Sequence, residues 1–372
     1  MSYAPGVIRD PIVSYLSAIQ GDASLRDICS AVRDRVGDVS ESSVRSSLNL
    51  HTPGTFARTA RGRYRLGTIR MPRENACEGE PIYRFGQAEL FHADCFTWLS
   101  ARASQSIHAV VTDPPYGLKE YNDVEKAKLR AGKGGVWRIP PAFDGHRRAP
   151  LPRFTVLDEH EKRQISVFFK NFGYLLHRVL VPGGNVAIAS NPLLAHLVSE
   201  SMTSAGFEVR GSVVRLTMTM RGGDRPKNAH TEFSGVSVMP RSMWEPWVLL
   251  RKPLEGRVQD NLRKWQTGGW RRPAAERPFG DVIKSRPTSP KEKAIAAHPS
   301  LKPQSFLRQL VHASLPLGVG TVLDPFAGSG ATLAAANAVG YSSVGIEKDG
   351  EYARMACSAI RKLTELKLVD PV

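Results

Sequence analysis

Apolar positions recur at helical spacing three times in the first part of the chain and then give way to alternation. Ile12, Val13, Leu16 and Ile19 mark a helix in the stretch beginning at Pro11. Ser24 is suited to cap a second, with Leu25, Ile28 and Val32 on one face, and Ser40, Ser43, Val44 and Leu48 read as a third. From Gly54 to Leu66 the pattern alternates around Phe56, Tyr64 and Leu66, with a turn at Gly62, which suits a two-stranded wing. Three helices and a wing predict a winged helix-turn-helix-like domain over residues 1–70. Residues 71–82, with Pro72, Gly79 and Pro81 among charges, predict a linker.

Beyond the linker the pattern is that of an α/β sheet. Short apolar runs at Ala88 to His92, Ile107 to Val111, Asn185 to Ser190, Thr321 to Leu323 and Tyr341 to Ile346 predict buried strands. Phe96 to Leu99 begin a helix, and Ile165 to Leu180 is an amphipathic one stopped by Pro182-Gly183-Gly184. Asn191-Pro192 opens another, and Ala331 to Val339 is an Ala-rich one. Residues 206–218 and 246–251 predict two strands at an antiparallel edge. Two stretches escape the pattern. Leu118 to Arg153 is a long loop rich in Gly and Pro, a length that suits a lid, a binding loop or disorder. Pro253 to Lys293 loses apolar periodicity and carries Trp265 and Trp270 among charges.

Charge changes the picture at those stretches. The 372 residues hold 51 Lys and Arg against 35 Asp and Glu, a net +16. An excess of that size points to a polyanionic partner, most often nucleic acid. Arg58, Arg61, Arg63 and Arg65 on the wing suit phosphate contact, and a protein-docking or dimerisation module is the other reading of that domain. Lys133, Trp137, Arg147 and Arg148 in the loop, and Arg263, Lys264, Trp270 and Arg271 further on, place aromatics among basic residues, as phosphate tracking and base contact require. Residues 253–293 are therefore expected to be a target-recognition segment, with a structural insertion as the alternative. The four cysteines form no metal-ligand or disulfide pattern, and no metal is expected. No leader and no apolar run of about 18 residues is evident, so the expectation is a reduced, cytoplasmic protein without membrane contact.

Two motifs carry chemistry. Asp113-Pro114-Pro115-Tyr116 follows the Ile107 to Val111 run, and its two prolines freeze the backbone between a carboxylate and an aromatic ring. The carboxyl end of a strand is where open α/β sheets bind ligands. Far downstream, Asp324-Pro325-Phe326-Ala327-Gly328-Ser329-Gly330 lies between a strand and a helix, and the next strand ends at Glu347. Strand, glycine loop, helix, strand and acid are the layout of a Rossmann-like nucleotide site. No Lys-Ser/Thr follows the glycines, so this is not a triphosphate loop.

Together these motifs resemble the DNA amino-methyltransferases, N6-adenine and N4-cytosine, in their β-class, circularly permuted order, over about residues 83–360. The resemblance implies an α/β, Rossmann-like, S-adenosylmethionine-dependent methyltransferase fold with a mixed seven-stranded sheet. Residues 83–252 and 294–372 would form its two parts. It implies catalytic roles for Asp113, Pro114, Pro115 and Tyr116. The cofactor would be held by Asp94, Cys95, Asp113, Asp324, Phe326, Ala327, Gly328, Ser329, Gly330, Thr332, Glu347 and Lys348. Glu347 would take the ribose, Asp94 the adenine amino group, and Lys302, in His298-Pro299-Ser300-Leu301-Lys302-Pro303, the methionine carboxylate. The family's cytosine-amino members more often carry Ser than Asp at the first motif position, so Asp113 favours adenine in duplex DNA. An amino-cytosine or RNA methyltransferase and a silent DNA-binding regulator remain alternatives. A second copy of the chain and a cognate restriction endonuclease are further partners the resemblance allows, in a nucleoid setting.

Binding to duplex DNA is expected to weaken steeply with salt, because released counterions drive it. Titrations at low and high salt check this; an affinity flat across the range contradicts a phosphate-contacting surface.

Overall fold

The computed structural model describes residues 21–50, 56–66, 79–114, 159–221, 228–238, 242–298 and 300–368, with positions 8, 11, 12, 15, 16, 19, 226 and 240. The chain divides into two units, Met1–Ala76 and Cys77–Val372. The calls at Pro115, Tyr116, Lys133, Trp137, Arg147 and Arg148 lie outside the described residues.

In the first unit, β1 (Asp22–Ser24) leads into helix Leu25–Val36, helix Glu41–Leu50 follows, and β2 (Phe56–Ala60) and β3 (Arg63–Leu66) close the unit. Ser24 caps its helix by a capping box, accepting from the Asp27 N–H while the Asp27 carboxylate accepts from the Ser24 N–H. Gly62, at φ 71°, makes the turn between β2 and β3. Ile12, Leu16, Ile28, Val32, Val44, Leu48 and Phe56 form the core. The alternation did not reveal β1, which is too short to alternate and is recruited by antiparallel pairing with β3. Its Asp22 receives Arg63 at 2.8 Å, and the Arg63 and Thr59 hydrogen bonds hold the Asp22 carboxyl down at about 2.

The second unit is built on one sheet. Its strands are β4 (Tyr83–Phe85), β5 (Ala88–His92), β6 (Ile107–Thr112), β7 (Leu180–Ala189), β8 (Glu208–Arg221), β9 (Ser242–Arg251), β10 (Val282–Lys284), β11 (Thr321–Asp324) and β12 (Ser342–Glu347). Their order is β10-β8-β9-β7-β6-β11-β12-β5-β4. Among the described residues the sheet thus has nine strands where seven were expected. The two unforeseen ones, β4 and β10, are short additions at the two edges. β7, β6, β11, β12 and β5 run parallel, while β9 is antiparallel to both β7 and β8.

Both faces of the sheet are covered, which is why its strands read as continuous apolar runs. On β7 and β9, Val186, Ile188, Val248 and Leu250 point to one face, where helices Cys95–Ala101, Glu159–Val179 and Ala195–Ser204 pack. Ala187, Ala189, Trp247 and Leu249 point to the other, under helices Gln304–Ser314, Ala331–Ala338 and Gly350–Thr364. Each large apolar side chain buried this way contributes about 1.5–3 kcal/mol.

This arrangement opens a crevice. The segment after β6 leads to helix Glu159–Val179 on the first face, and the loop after β11 leads to helix Ala331–Ala338 on the second. β6 and β11 are neighbours, and the described helices that follow them lie on opposite faces of the sheet. Asp113 and Asp324 stand at that parting, the topological switch point of the sheet.

Residues 253–293, where periodicity fails, form helix Val258–Trp265 and β10. Asn261 ties the segment down. Its amide donates to the carbonyls of Pro182 and Thr267, its oxygen accepts from the Glu255 N–H, and the residue is fully buried. Asn261→Ala would orphan these groups, at about 1–3 kcal/mol for each one left unsatisfied. Denaturant unfolding is expected to register a loss of about 2–4 kcal/mol; a loss typical of a surface position contradicts the anchoring role.

Candidate active site

The glycine loop is shaped from within. Gly328 and Gly330 have φ of 51° and 75°, a region that disfavours side chains. A Cβ on Gly330 would come within 2.5 Å of Ile360 Cγ1, and one on Gly328 within 3.1 Å of His298 Nε2. Both glycines therefore answer to the protein's own packing, in addition to any ligand. Phe326 leaves the loop to meet Phe172 and Phe168, with ring centroids 5.3 and 6.1 Å apart.

Beneath the loop, Asp324 accepts from the Thr112 hydroxyl at 2.6 Å and the Phe326 N–H at 3.2 Å. This joins the ends of β6 and β11. Burial pushes its carboxyl up to about 6, against the hydrogen bonds from Thr112, Thr332 and the Phe326 backbone, with the nearby Asp113 charge adding to the rise. Ala327, Ser329 and Thr332 are also buried.

Glu347, at the end of β12, receives the Gly328 N–H at 2.7 Å on one oxygen and the Asp349 N–H at 2.7 Å on the other. It braces the loop. A carboxylate has about four acceptor sites, so both oxygens keep capacity for further donors. Asp94 caps helix Cys95–Ala101, accepting from Phe96 N and Thr97 N, and pairs with Lys348 at 3.0 Å. Burial would raise its carboxyl, but Lys348 and the capping N–H groups outweigh it and hold it below the ordinary value. Cys95 lies under this cap, buried in the core, with its thiol pushed up to about 12, chiefly by burial.

Lys302 lines the same cleft as the glycine loop and is paired there with two carboxylates. Its ammonium is 2.6 Å from Asp113 Oδ2 and 3.0 Å from Glu245 Oε1, with the three side chains only 11, 17 and 18% exposed. Burial alone would pull the ammonium down, but the two carboxylates prevail and raise it above the ordinary lysine value. Glu245 continues the chain to Arg215 Nη1, 3.1 Å away. Its carboxyl is held low, the Lys302 and Arg215 charges overcoming its burial. Asp113, Lys302, Asp324, His298, Trp247 and the glycine loop line one cleft.

Glu245, Arg215, Trp247 and His298 were absent from the sequence-derived set. The one signal was a lone acid beside the apolar end of β9, in Trp244-Glu245-Pro246-Trp247.

The expected nucleic-acid contacts divide. Arg58, Arg61, Arg263 and Lys264 are exposed, though Arg263 pairs with Asp260 and Lys264 with Glu255. Arg63 is engaged by Asp22. Two further residues have partners within their own unit. Trp270 is half-buried, stacked on Phe279 at 5.6 Å and packed on the core. Arg271, also half-buried, donates to the Tyr341 hydroxyl at 2.7 Å. Packing inside the unit occupies both side chains.

Comparison with known sequences and structures agrees with this geometry. A family described as DNA methylase matches residues 107–358. The Type II methyltransferase M.HindIII of Haemophilus influenzae is 24% identical over 287 residues, covering 70% of this chain and 91% of its own. M2.DpnII of Streptococcus pneumoniae, also a Type II methyltransferase, is 24% identical over 298 residues, covering 79% and 94%. Among solved structures, the cytosine-N4-specific PvuII DNA methyltransferase superposes with a TM-score of 0.50 at 14% identity, covering 76% of this chain and 89% of its own. That last likeness is one of fold.

Asp324 gives a pH test. Its carboxyl rises from an ordinary 3.8 to about 6 on folding, so between those values the folded chain holds a proton that the unfolded chain has released. Stability from this group is complete below the lower value and lost as pH climbs through the upper one. Asp324→Asn, which stays neutral, is expected to gain on the unaltered protein as pH rises from 4 to 8, by up to about 3 kcal/mol. Unfolding at both pH values checks this; a gap independent of pH contradicts it.

Proposed function

The chain belongs to the DNA methylase family and has the Rossmann-like methyltransferase fold; from that premise we propose that it methylates the N6 amino group of an adenine flipped out of duplex DNA. One observation carries the reading. Asp113 follows the strand that borders the crevice and lines the same cleft as the glycine loop, with Pro114 next to it in the chain.

S-adenosylmethionine is the methyl donor, and when bound it supplies an electrophilic methyl on a positively charged sulfur. The residues fit it. The glycine loop and Phe326 line the cleft, and Glu347 beside them keeps acceptor capacity for ribose hydroxyls. Asp94, one strand further along the sheet, is an acceptor for an adenine amino group, with Lys348 at its other side.

An adenine amino nitrogen is a poor nucleophile because its lone pair is delocalised into the ring. Asp113 and the Pro114 carbonyl accept its two hydrogens, draw the nitrogen towards sp³ geometry and localise the pair. The same acceptors stabilise the positive charge that develops on the nitrogen. Holding nitrogen and methyl in line contributes the remainder through orientation. A base inside a duplex cannot reach such a cleft, so it must leave the stack, and Tyr116 of the motif is its stacking partner. Asp rather than Ser at position 113 supports adenine over cytosine. The exposed arginines Arg58, Arg61 and Arg263 support phosphate contact.

The test is methyl transfer by the full chain from labelled S-adenosylmethionine to mixed-sequence duplex DNA, followed by digestion to nucleosides. Label in N6-methyldeoxyadenosine is expected. Label in N4-methyldeoxycytidine moves the target base and keeps the chemistry; no label contradicts the activity. Asp113→Ala is expected to lower the rate by about 10²–10³-fold or more while S-adenosylmethionine still binds. Near-full turnover by that variant contradicts the assigned role.

A further inference from the structure

Four charged side chains run in one line under the cleft, and the reaction described above uses only the first. Asp113 meets Lys302 at 2.6 Å, Lys302 meets Glu245 at 3.0 Å, and Glu245 meets Arg215 at 3.1 Å. Arg215 is held in turn by the Ser285 hydroxyl at 2.9 Å and lies over the Phe306 ring. Trp247 Nε1 also donates to Glu245, at 3.4 Å.

We propose that Glu245 is a positioning residue for methyl transfer: anchored by Arg215, it holds the Lys302 ammonium against Asp113 and so fixes the carboxylate that receives the target amino group. The inference rests on the reaction proposed above. Lysine is a point charge on a flexible four-carbon stem and has no preferred direction of its own. Here a second carboxylate supplies the direction. Glu245 in turn has one oxygen for Lys302 and the other for Arg215 and Trp247, so it cannot follow the lysine if that moves.

The register explains how the anchor is made. Arg215 and Glu245 are directly paired across β8 and β9, and Pro246 next to Glu245 receives the N–H of Ser190 at the end of β7. Glu245 is thereby brought to the carboxyl edge, level with the residues following the parallel strands. The two acids and two bases sum to zero charge, as burial of ions demands. Lys302 divided between two carboxylates also draws less on Asp113 than it would alone, which leaves Asp113 a better acceptor for an amino hydrogen. This differs from the role the family resemblance gave Lys302, at the cofactor's carboxylate.

Two variants test the proposal. Glu245→Gln keeps the shape and removes the charge. The double change Arg215→Met with Glu245→Gln removes an acid and a base together and so leaves no buried ion alone. Single-turnover methyl transfer to mixed-sequence duplex DNA is measured at saturating S-adenosylmethionine, with the Kd for S-adenosylmethionine measured by direct titration and folding by thermal unfolding. Both variants are expected to transfer about 10²-fold more slowly, with the Kd unchanged and the double variant unfolding cooperatively. A merely structural role would leave the folded double variant at full rate, which overturns the proposal. A loss confined to the Kd, with full rate at saturation, overturns it in favour of Lys302 at the cofactor's carboxylate. Failure of both variants to fold overturns it in favour of a stability device. No transfer by the unaltered protein removes the reading of the reaction itself, an outcome distinct from all of these.

Discussion

Two neighbouring parallel strands send their chains to opposite faces of the sheet, and every functional feature depends on that parting. The next described helix after β6, Glu159–Val179, packs on one face, and the helix after β11, Ala331–Ala338, packs on the other. Among the described residues a cleft lies at the carboxyl edge. Asp113 and Asp324 border the gap, and Glu347 stands one strand away, bracing the glycine loop through the Gly328 N–H. Thr112 bridges the two strands by its hydrogen bond to Asp324. The site is thus a consequence of topology, and the residues there refine a crevice that the backbone already provides.

Charge is what the crevice has to manage. Asp113, Lys302, Glu245 and Arg215 are all largely shielded, and each neutralises its neighbour. Such a line is costly to break at any point, because removing one member leaves another buried and uncompensated. The line also reaches the stretch between Pro253 and Lys293, through the Ser285 hydroxyl on Arg215. That stretch is further tied in by Asn261 at the Pro182 carbonyl and by Arg271 at Tyr341. A segment without apolar periodicity is accordingly held to the sheet by these polar contacts together with Ile283 in the core and Trp270 and Phe279 packed against it.

The sequence disclosed the parts of the site that are local in the chain. The Asp113 motif, the glycine loop and Glu347 were readable because each is a strand end followed at once by its chemistry. Helices Leu25–Val36, Glu41–Leu50 and Glu159–Val179 were readable through their periodicity and Ser24 through its capping position, whereas Val258–Trp265, Gln304–Ser314 and Gly350–Thr364 were not foreseen. What stayed hidden is set by register between strands. Glu245 and Arg215 face each other only because β8 and β9 pair as they do, and a charged residue in a strand otherwise suggests a solvated face. β1, β4 and β10 are too short to show alternation and exist by pairing with longer neighbours. Trp270 and Arg271 sit among charges in sequence, which suggested a surface, whereas their packing comes from Phe279 and Tyr341. The tight Gly330 position follows from Ile360 in the last helix, far along the chain.

The most direct test of the account is a structure of the full chain with S-adenosylmethionine bound. The account expects the donor in the cleft between β6 and β11, its ribose at Glu347 and its methyl group directed towards Asp113, with Lys302 still shared between Asp113 and Glu245. A donor bound elsewhere, or a Lys302 that leaves Asp113 for the donor's carboxylate, would contradict it.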